Sequence, residues 1–242
     1  MLTDKQTIIS QLRKEILHLE GFKAASETAI VKGMEGIEAA FPNGVFPTGT
    51  IHEFVASGEY ASACLGFISS LVSSLVLNES TCLWISTSRD IFPSSLKSLG
   101  IEPDRVIFID LKRERDVLWA TEEALKCEGL SVVVAELREI SFAQSRRLQL
   151  ATEKSRVTGF ILLKDKKINS TPCTARWQVK SLQSATMGDL PGVGLPRWQV
   201  ELLKIKNGNP CKWQFEWTAK GLIPVPENPS QIAVTEHHQK AG

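Results

Sequence analysis

Residues 131–136 read Ser-Val-Val-Val-Ala-Glu, a run of apolar, mostly β-branched side chains that never alternates with polar ones and ends in an acid. Side chains on a strand point to opposite faces in turn, so an unbroken apolar run needs cover on both sides, as in a central strand of a parallel sheet. The neighbouring stretches can supply that cover. Before the run, residues 115–127 have the spacing of a helix closed by Gly129; after it, Ser141 is placed to cap a helix to about Ser155. Residues 158–163 (TGFILL) form a second run of the same kind, and 106–111 (VIFIDL), 81–87 (TCLWIST) and 50–56 (TIHEFVA) read as further strands. Helical stretches at 93–99 and 61–77 separate them. Strand and helix alternating in this way predict an α/β fold with a doubly wound, mostly parallel sheet.

The remainder has a different texture. Residues 164–175 are polar, 176–180 (RWQVK) are strand-like and 188–196 (GDLPGVGLP) form a glycine- and proline-rich loop. Two alternating strands, 198–206 and 213–218, flank the turn-rich segment 207–212 (NGNPCK), which predicts antiparallel C-terminal strands added to the sheet. At the other end, residues 3–19 space Ile8, Leu12, Ile16 and Leu19 as on one face of a helix. The expected division is an N-terminal amphipathic helix and linker over 1–27, a core domain over 28–226 and a disordered tail over 227–242.

The 242 residues, 43% hydrophobic and 23% charged, exclude a disordered or fibrous chain. The formal net charge of +1 conceals a polarity: residues 1–111 carry 8 basic and 13 acidic side chains, whereas 155–220 carry 11 basic and 4 acidic. Such a split suggests either a basic surface that faces an anionic partner or a lysine-rich sheet edge. Cys64, Cys82, Cys127, Cys173 and Cys211 show no zinc spacing, and an odd count argues against a disulfide framework, so no metal and no cofactor is expected. The opening residues have neither a basic nor an apolar signal region, and a cytoplasmic chain is expected. Residues 60–78 carry no charge, but Ser62, Ser69 and Ser73 fall on one helical stripe opposite Cys64, Leu71 and Leu75, the pattern of a buried, sided helix and not of a membrane span.

The turn between the 50–56 strand and the next helix stands where nucleotide-binding α/β proteins carry a phosphate loop. Such a loop needs glycines for close backbone approach, a lysine for the terminal phosphates and a Ser or Thr for magnesium. The corresponding positions here hold Ala56, Ala61, Ser62 and Ala63, with the Glu59 carboxylate where a phosphate would approach. The register describes a degenerate P-loop, and nucleotide hydrolysis is not expected.

The stretch Gly44-Val-Phe-Pro47-Thr-Gly49-Thr-Ile51-His-Glu53-Phe resembles the segment and strand that precede the phosphate loop of the RecA recombinase core. Residues 84–88 (WISTS) resemble the strand after which RecA carries its catalytic glutamate, with Ser88 in that place, and Glu136 stands where the magnesium-site aspartate would be. Residues 200–212 (VELLKIKNGNPCK) run without a gap against a RecA pattern that brings Lys204, Lys206, Pro210 and Lys212 into register. A RecA-like core without a working phosphate loop, preceded by a short helix, resembles the ImuA family of bacterial damage-response proteins, as do residues 146–151 (RRLQLA) and Thr158-Gly159-Phe160. That resemblance implies a non-catalytic adaptor of error-prone translesion synthesis. It also implies an ImuB-like polymerase-family partner, contact with RecA or single-stranded DNA, and a nucleoid-associated location. A SulA-like cell-division inhibitor and a residual RecA-like ATPase are the alternatives.

Lys204 and Lys206 align with lysines that in RecA filaments reach the neighbouring subunit's nucleotide, and alternate spacing on a rigid strand would present both on one face. Arg176-Trp177 and Arg197-Trp198 interleave a cation with an aromatic ring and, with Lys212, form a candidate RecA or single-stranded DNA interface; core packing is the competing role for the tryptophans. Glu136 reads either as a vestigial metal ligand or as a solvated acid at a strand end. His52 reads as a satisfied sheet residue, and no serine has a triad partner written into the sequence.

Overall fold

A computed structural model of the chain describes Leu12 and residues 35–56, 58–76, 80–165, 169–184, 194–219 and 221–225. The helix expected over 3–19, the linker to residue 27, most of the 188–196 loop and the tail beyond 226 lie outside the described residues. The strands are β1 (Ile51–Val55), β2 (Cys82–Ser86), β3 (Val106–Asp110), β4 (Val132–Leu137) and β5 (Thr158–Leu163), then β6 (Ala175–Leu182), β7 (Arg197–Ile205), β8 (Cys211–Thr218) and β9 (Gly221–Pro224). They form one sheet in the order β3-β2-β4-β5-β1-β6-β7-β8-β9. Pairs from β3 through to β6 are parallel; β6–β7, β7–β8 and β8–β9 are antiparallel. The α/β class and the antiparallel C-terminal extension are as the sequence predicted, with β9 added at the edge.

The described helices are α1 (Glu35–Glu38), α2 (Ala61–Leu75), α3 (Pro93–Ser98), α4 (Glu114–Leu125) and α5 (Phe142–Ser155). The side chains of α2 and α3 join one hydrophobic layer and those of α4 and α5 the other, so β4, with all six residues buried, is covered on both faces. The start of α5 is a reciprocal cap: Ser141 Oγ accepts from the Gln144 N–H and the Gln144 side chain accepts from the Ser141 N–H.

The serine stripe of α2 is not an open surface. Ser62 is exposed, but Ser69 is fully buried and Ser73 half-buried, because Trp198 of β7 lies over Gly66 in the middle of the same stripe. A Cβ on Gly66 would stand 2.8 Å from the Trp198 ring. Among the described residues no helix is long and apolar enough to cross a membrane.

His52 organises the aromatic centre of the same layer. Its Nε2 lies 2.7 Å from the Pro47 carbonyl and its Nδ1 accepts from the Trp177 indole N–H at 3.2 Å. The indole can only donate and the carbonyl can only accept, so the proton sits on Nε2 and the ring is neutral. Phe46 stacks on this imidazole with ring centroids 4.7 Å apart, which ties the segment before β1 onto the sheet. Burial lowers the His52 pKa from 6.5 to about 4, although the Pro47 hydrogen bond acts in the opposite direction.

Two predictions follow from these contacts. Alanine for glycine in a helix interior ordinarily gains about 1 kcal/mol. Gly66→Ala should instead lower unfolding free energy by about 1 kcal/mol through overpacking against Trp198, read by urea denaturation. Unfolded His52 takes up a proton more readily than folded His52, so its contribution is fully present above pH 6.5 and is lost as the pH falls towards 4. Stability measured across that window should decline by about 3 kcal/mol from this group, and His52→Gln should flatten the decline.

Candidate functional site

The crevice at the carboxyl ends of the parallel strands is the place where open α/β sheets bind ligands, at the point where successive connections diverge. Here that point is β1. The chain leaves it through α2 towards β2, whereas β5, its neighbour on one side, connects across it to β6 on the other.

The turn after β1 is short. The Ala56 N–H still bonds the Leu163 carbonyl at 3.0 Å, residues Gly58–Tyr60 make a single 3-10 turn, and α2 begins at once with Ala61. Gly58 has φ 54°, the left-handed region in which glycine is at ease. Glu59 is exposed, Ala61 half-buried, Ser62 exposed and Ala63 buried. The Glu59 carboxylate accepts from the Tyr60 hydroxyl and raises its pKa, so a negative charge stands at the head of α2.

Glu136 corrects the expectation of a solvated acid: it is 3% exposed. Its Oε1 accepts from the Trp84 indole N–H at 2.7 Å, and Lys164 Nζ stands 2.8 Å from its Oε2. The same ammonium lies 2.6 Å from Asp90 and 3.4 Å from the Ser88 hydroxyl. Lys164, at the end of β5, is the residue sequence reading passed over. It closes the second apolar run as Glu136 closes the first, and β4 and β5 pair in parallel with Glu136 opposite Leu162, so Lys164, two residues on, is within diagonal reach of Glu136. Hydrogen bonding from Lys164 holds the Asp90 carboxyl below its ordinary range. Burial alone would lower the Lys164 pKa, but the Asp90 and Glu136 carboxylates override it and raise the value. Burial, with Glu136 nearby, pushes the Cys64 thiol up, and burial raises Cys173 to about 11, so neither is an activated nucleophile.

A second polar cluster lies on the other face of β1. Glu53 is fully buried and accepts from Ser145 Oγ at 2.8 Å, Thr171 Oγ1 at 2.7 Å and the Arg176 guanidinium at 2.8 and 3.1 Å. Arg176 faces Glu53 because β1 and β6 pair in that register. The guanidinium also donates to the Asn169 carbonyl at 2.8 Å, and Lys204 Nζ donates to the Thr171 carbonyl.

The residues expected to form a RecA or DNA surface differ in exposure. Arg176, Trp177 and Trp198 are buried, the tryptophans among Phe41, Phe46, Phe54 and Phe67. Arg197 is half-buried and paired with Glu216 at 2.5 Å. Lys204 points towards the Thr171 backbone, and the Lys206 N–H bonds the Thr174 carbonyl at 2.9 Å just past the last residue of β7. Lys206 and Lys212 are exposed. Among the described residues no cluster of His, Cys, Asp and Glu could hold a metal ion.

No protein-family model matches the chain. It is 29% identical over 208 residues to Protein ImuA of Caulobacter vibrioides, which spans 80% of this chain and 85% of that protein. Cell division inhibitor SulA of Yersinia pestis is 28% identical over 128 residues, 52% of this chain and 76% of that protein. The crystal structure of SulA from Pseudomonas aeruginosa overlays with a TM-score of 0.42 and 19% identity, covering 47% of this chain and 97% of that one.

The Glu53 cluster can be probed directly. Arg176→Met leaves a buried carboxylate without its counterion and should cost about 3–5 kcal/mol. The double variant Glu53→Met with Arg176→Met, which removes both charges, should recover most of that loss in the same denaturation assay. A double variant no more stable than Arg176→Met would show that the charges do not act as a pair.

Proposed function

We propose that this chain, whose likeness to Protein ImuA runs over 80% of its length, is a non-catalytic adaptor in DNA-damage-induced error-prone translesion synthesis. In this reading the sheet is a RecA-like core and the 56–63 turn a degenerate P-loop, joined by protein contacts to an ImuB-like polymerase-family partner and to RecA. The observation that carries it is the crevice itself. A triphosphate needs backbone N–H groups, a lysine and a metal-holding hydroxyl at the turn after β1; here that turn offers Ala61, Ser62 and Ala63 behind the Glu59 carboxylate. Burial raises the thiol pKa of Cys64, Cys82 and Cys173, so none of these three is an activated nucleophile.

Base stacking on Trp177 or Trp198 has no support, because both rings are buried. Any contact with RecA or DNA by the C-terminal strands falls to exposed cations such as Lys206 and Lys212. A nucleoid-associated location follows from the same reading.

The SulA similarity supports a second reading, a division inhibitor, over 52% of the chain. Deleting the gene separates the two. The adaptor reading expects a fall in damage-induced mutation frequency with cell division after damage unchanged; unchanged mutation with altered filamentation favours the division inhibitor. Titration of the purified protein with magnesium and ATP should show no saturable binding, and tight binding would restore the ATPase alternative. Lys206→Glu with Lys212→Glu should weaken co-purification with RecA while leaving the melting temperature close to that of the parent chain.

A further inference from the structure

We propose that the Lys164 ammonium is a built-in counterion at the carboxyl end of the sheet that fastens residues 86–90 to the ends of β4 and β5. The proposal deepens the proposed function, since it rests on the reading that no nucleotide fills this crevice, and it names what holds the crevice together instead.

Four observations support it. The Glu136 carboxylate is almost completely withdrawn from water, and a buried carboxylate needs both a hydrogen-bond donor and a countercharge. Trp84 supplies the donor to one oxygen, and Lys164 stands 2.8 Å from the other. The base of Lys164 is rigid, because its N–H donates to the Leu137 carbonyl at 2.9 Å and continues the β4–β5 ladder. Beyond it, the ammonium reaches Asp90 and Ser88 in the segment after β2, so one cation joins oxygens from two separate parts of the chain. That segment is braced further: Ser86 Oγ donates to the Ser88 carbonyl at 2.7 Å, Ser88 Oγ donates to Asp90 at 3.1 Å, and Arg89 pairs with Asp110 while lying over the Phe108 ring. One positive charge thus stands between a buried and a half-exposed carboxylate.

The experiment compares the full-length protein with Lys164→Met and with Lys164→Met plus Glu136→Gln, measuring melting temperature and amide hydrogen exchange. Lys164→Met should melt about 5 °C or more lower, and its residues 86–90 should exchange about tenfold faster. The double variant should recover most of the loss in melting temperature. If Lys164→Met does not fold, a folded double variant supports the counterion role equally. Lys164→Met as stable and as protected as the parent chain, or a double variant no better than the single one, would overturn the proposal. A parent chain stabilised by magnesium and ATP would count against the proposed function and leave the Lys164 comparison intact, so the two failures are distinguishable.

Discussion

β1 buries two consecutive ionisable residues, His52 and Glu53, on opposite faces of the sheet, and much of the molecule is arranged to satisfy them. A strand cannot turn both side chains the same way, so each face must supply its own partners. On one side, the neutral imidazole is held between an acceptor before β1 and a donor on β6, which fixes the Phe46 and Pro47 segment and the Trp177 ring together. On the other, a carboxylate without access to water collects two hydroxyls and a guanidinium, which fixes α5, Thr171 and β6. β1 also joins the parallel half of the sheet to the part that turns antiparallel beyond β6. Both halves therefore depend on polar groups that would be destabilising anywhere in the core without these partners.

The charge polarity of the sequence changes meaning on this scaffold. Glu53, from the acidic first half, pairs with Arg176 from the basic final third, and Asp90 pairs with Lys164 from the same third. Lys204 is directed to a backbone carbonyl and Arg197 to Glu216. Four of the eleven basic residues between 155 and 220 are thus engaged within the chain, and Arg176 among them is buried. Two of these contacts, Glu53–Arg176 and Asp90–Lys164, join opposite charges far apart in sequence.

The continuous apolar runs were legible because strands buried on both faces leave no alternation, and β4 and β5 lie where 131–136 and 158–163 placed them. The cap at Ser141 was legible from local chemistry. The site was less so, for reasons that lie in particular residues. Arg176-Trp177 and Arg197-Trp198 look like mixed basic and aromatic patches in sequence, but adjacent residues on a strand face opposite ways, so the ring enters the core and the cation does not share its surface. The Glu53–Arg176 pair is separated by more than a hundred residues and exists only because β6 lies beside β1, an adjacency that no local pattern announces. Lys164 could have been found, since it ends an apolar run beside the one that Glu136 ends.

At the carboxyl ends of the parallel strands both signs of charge come from the chain itself. Peptide dipoles make a helix N-terminus attractive to an anion; at the head of α2 the Glu59 carboxylate already stands in the turn that leads into the helix. Carboxylates at the strand ends attract a cation, and the Lys164 ammonium already stands between them. A ligand bringing its own phosphate and metal would have to displace both groups, and displacing Lys164 would leave Glu136 buried without its countercharge.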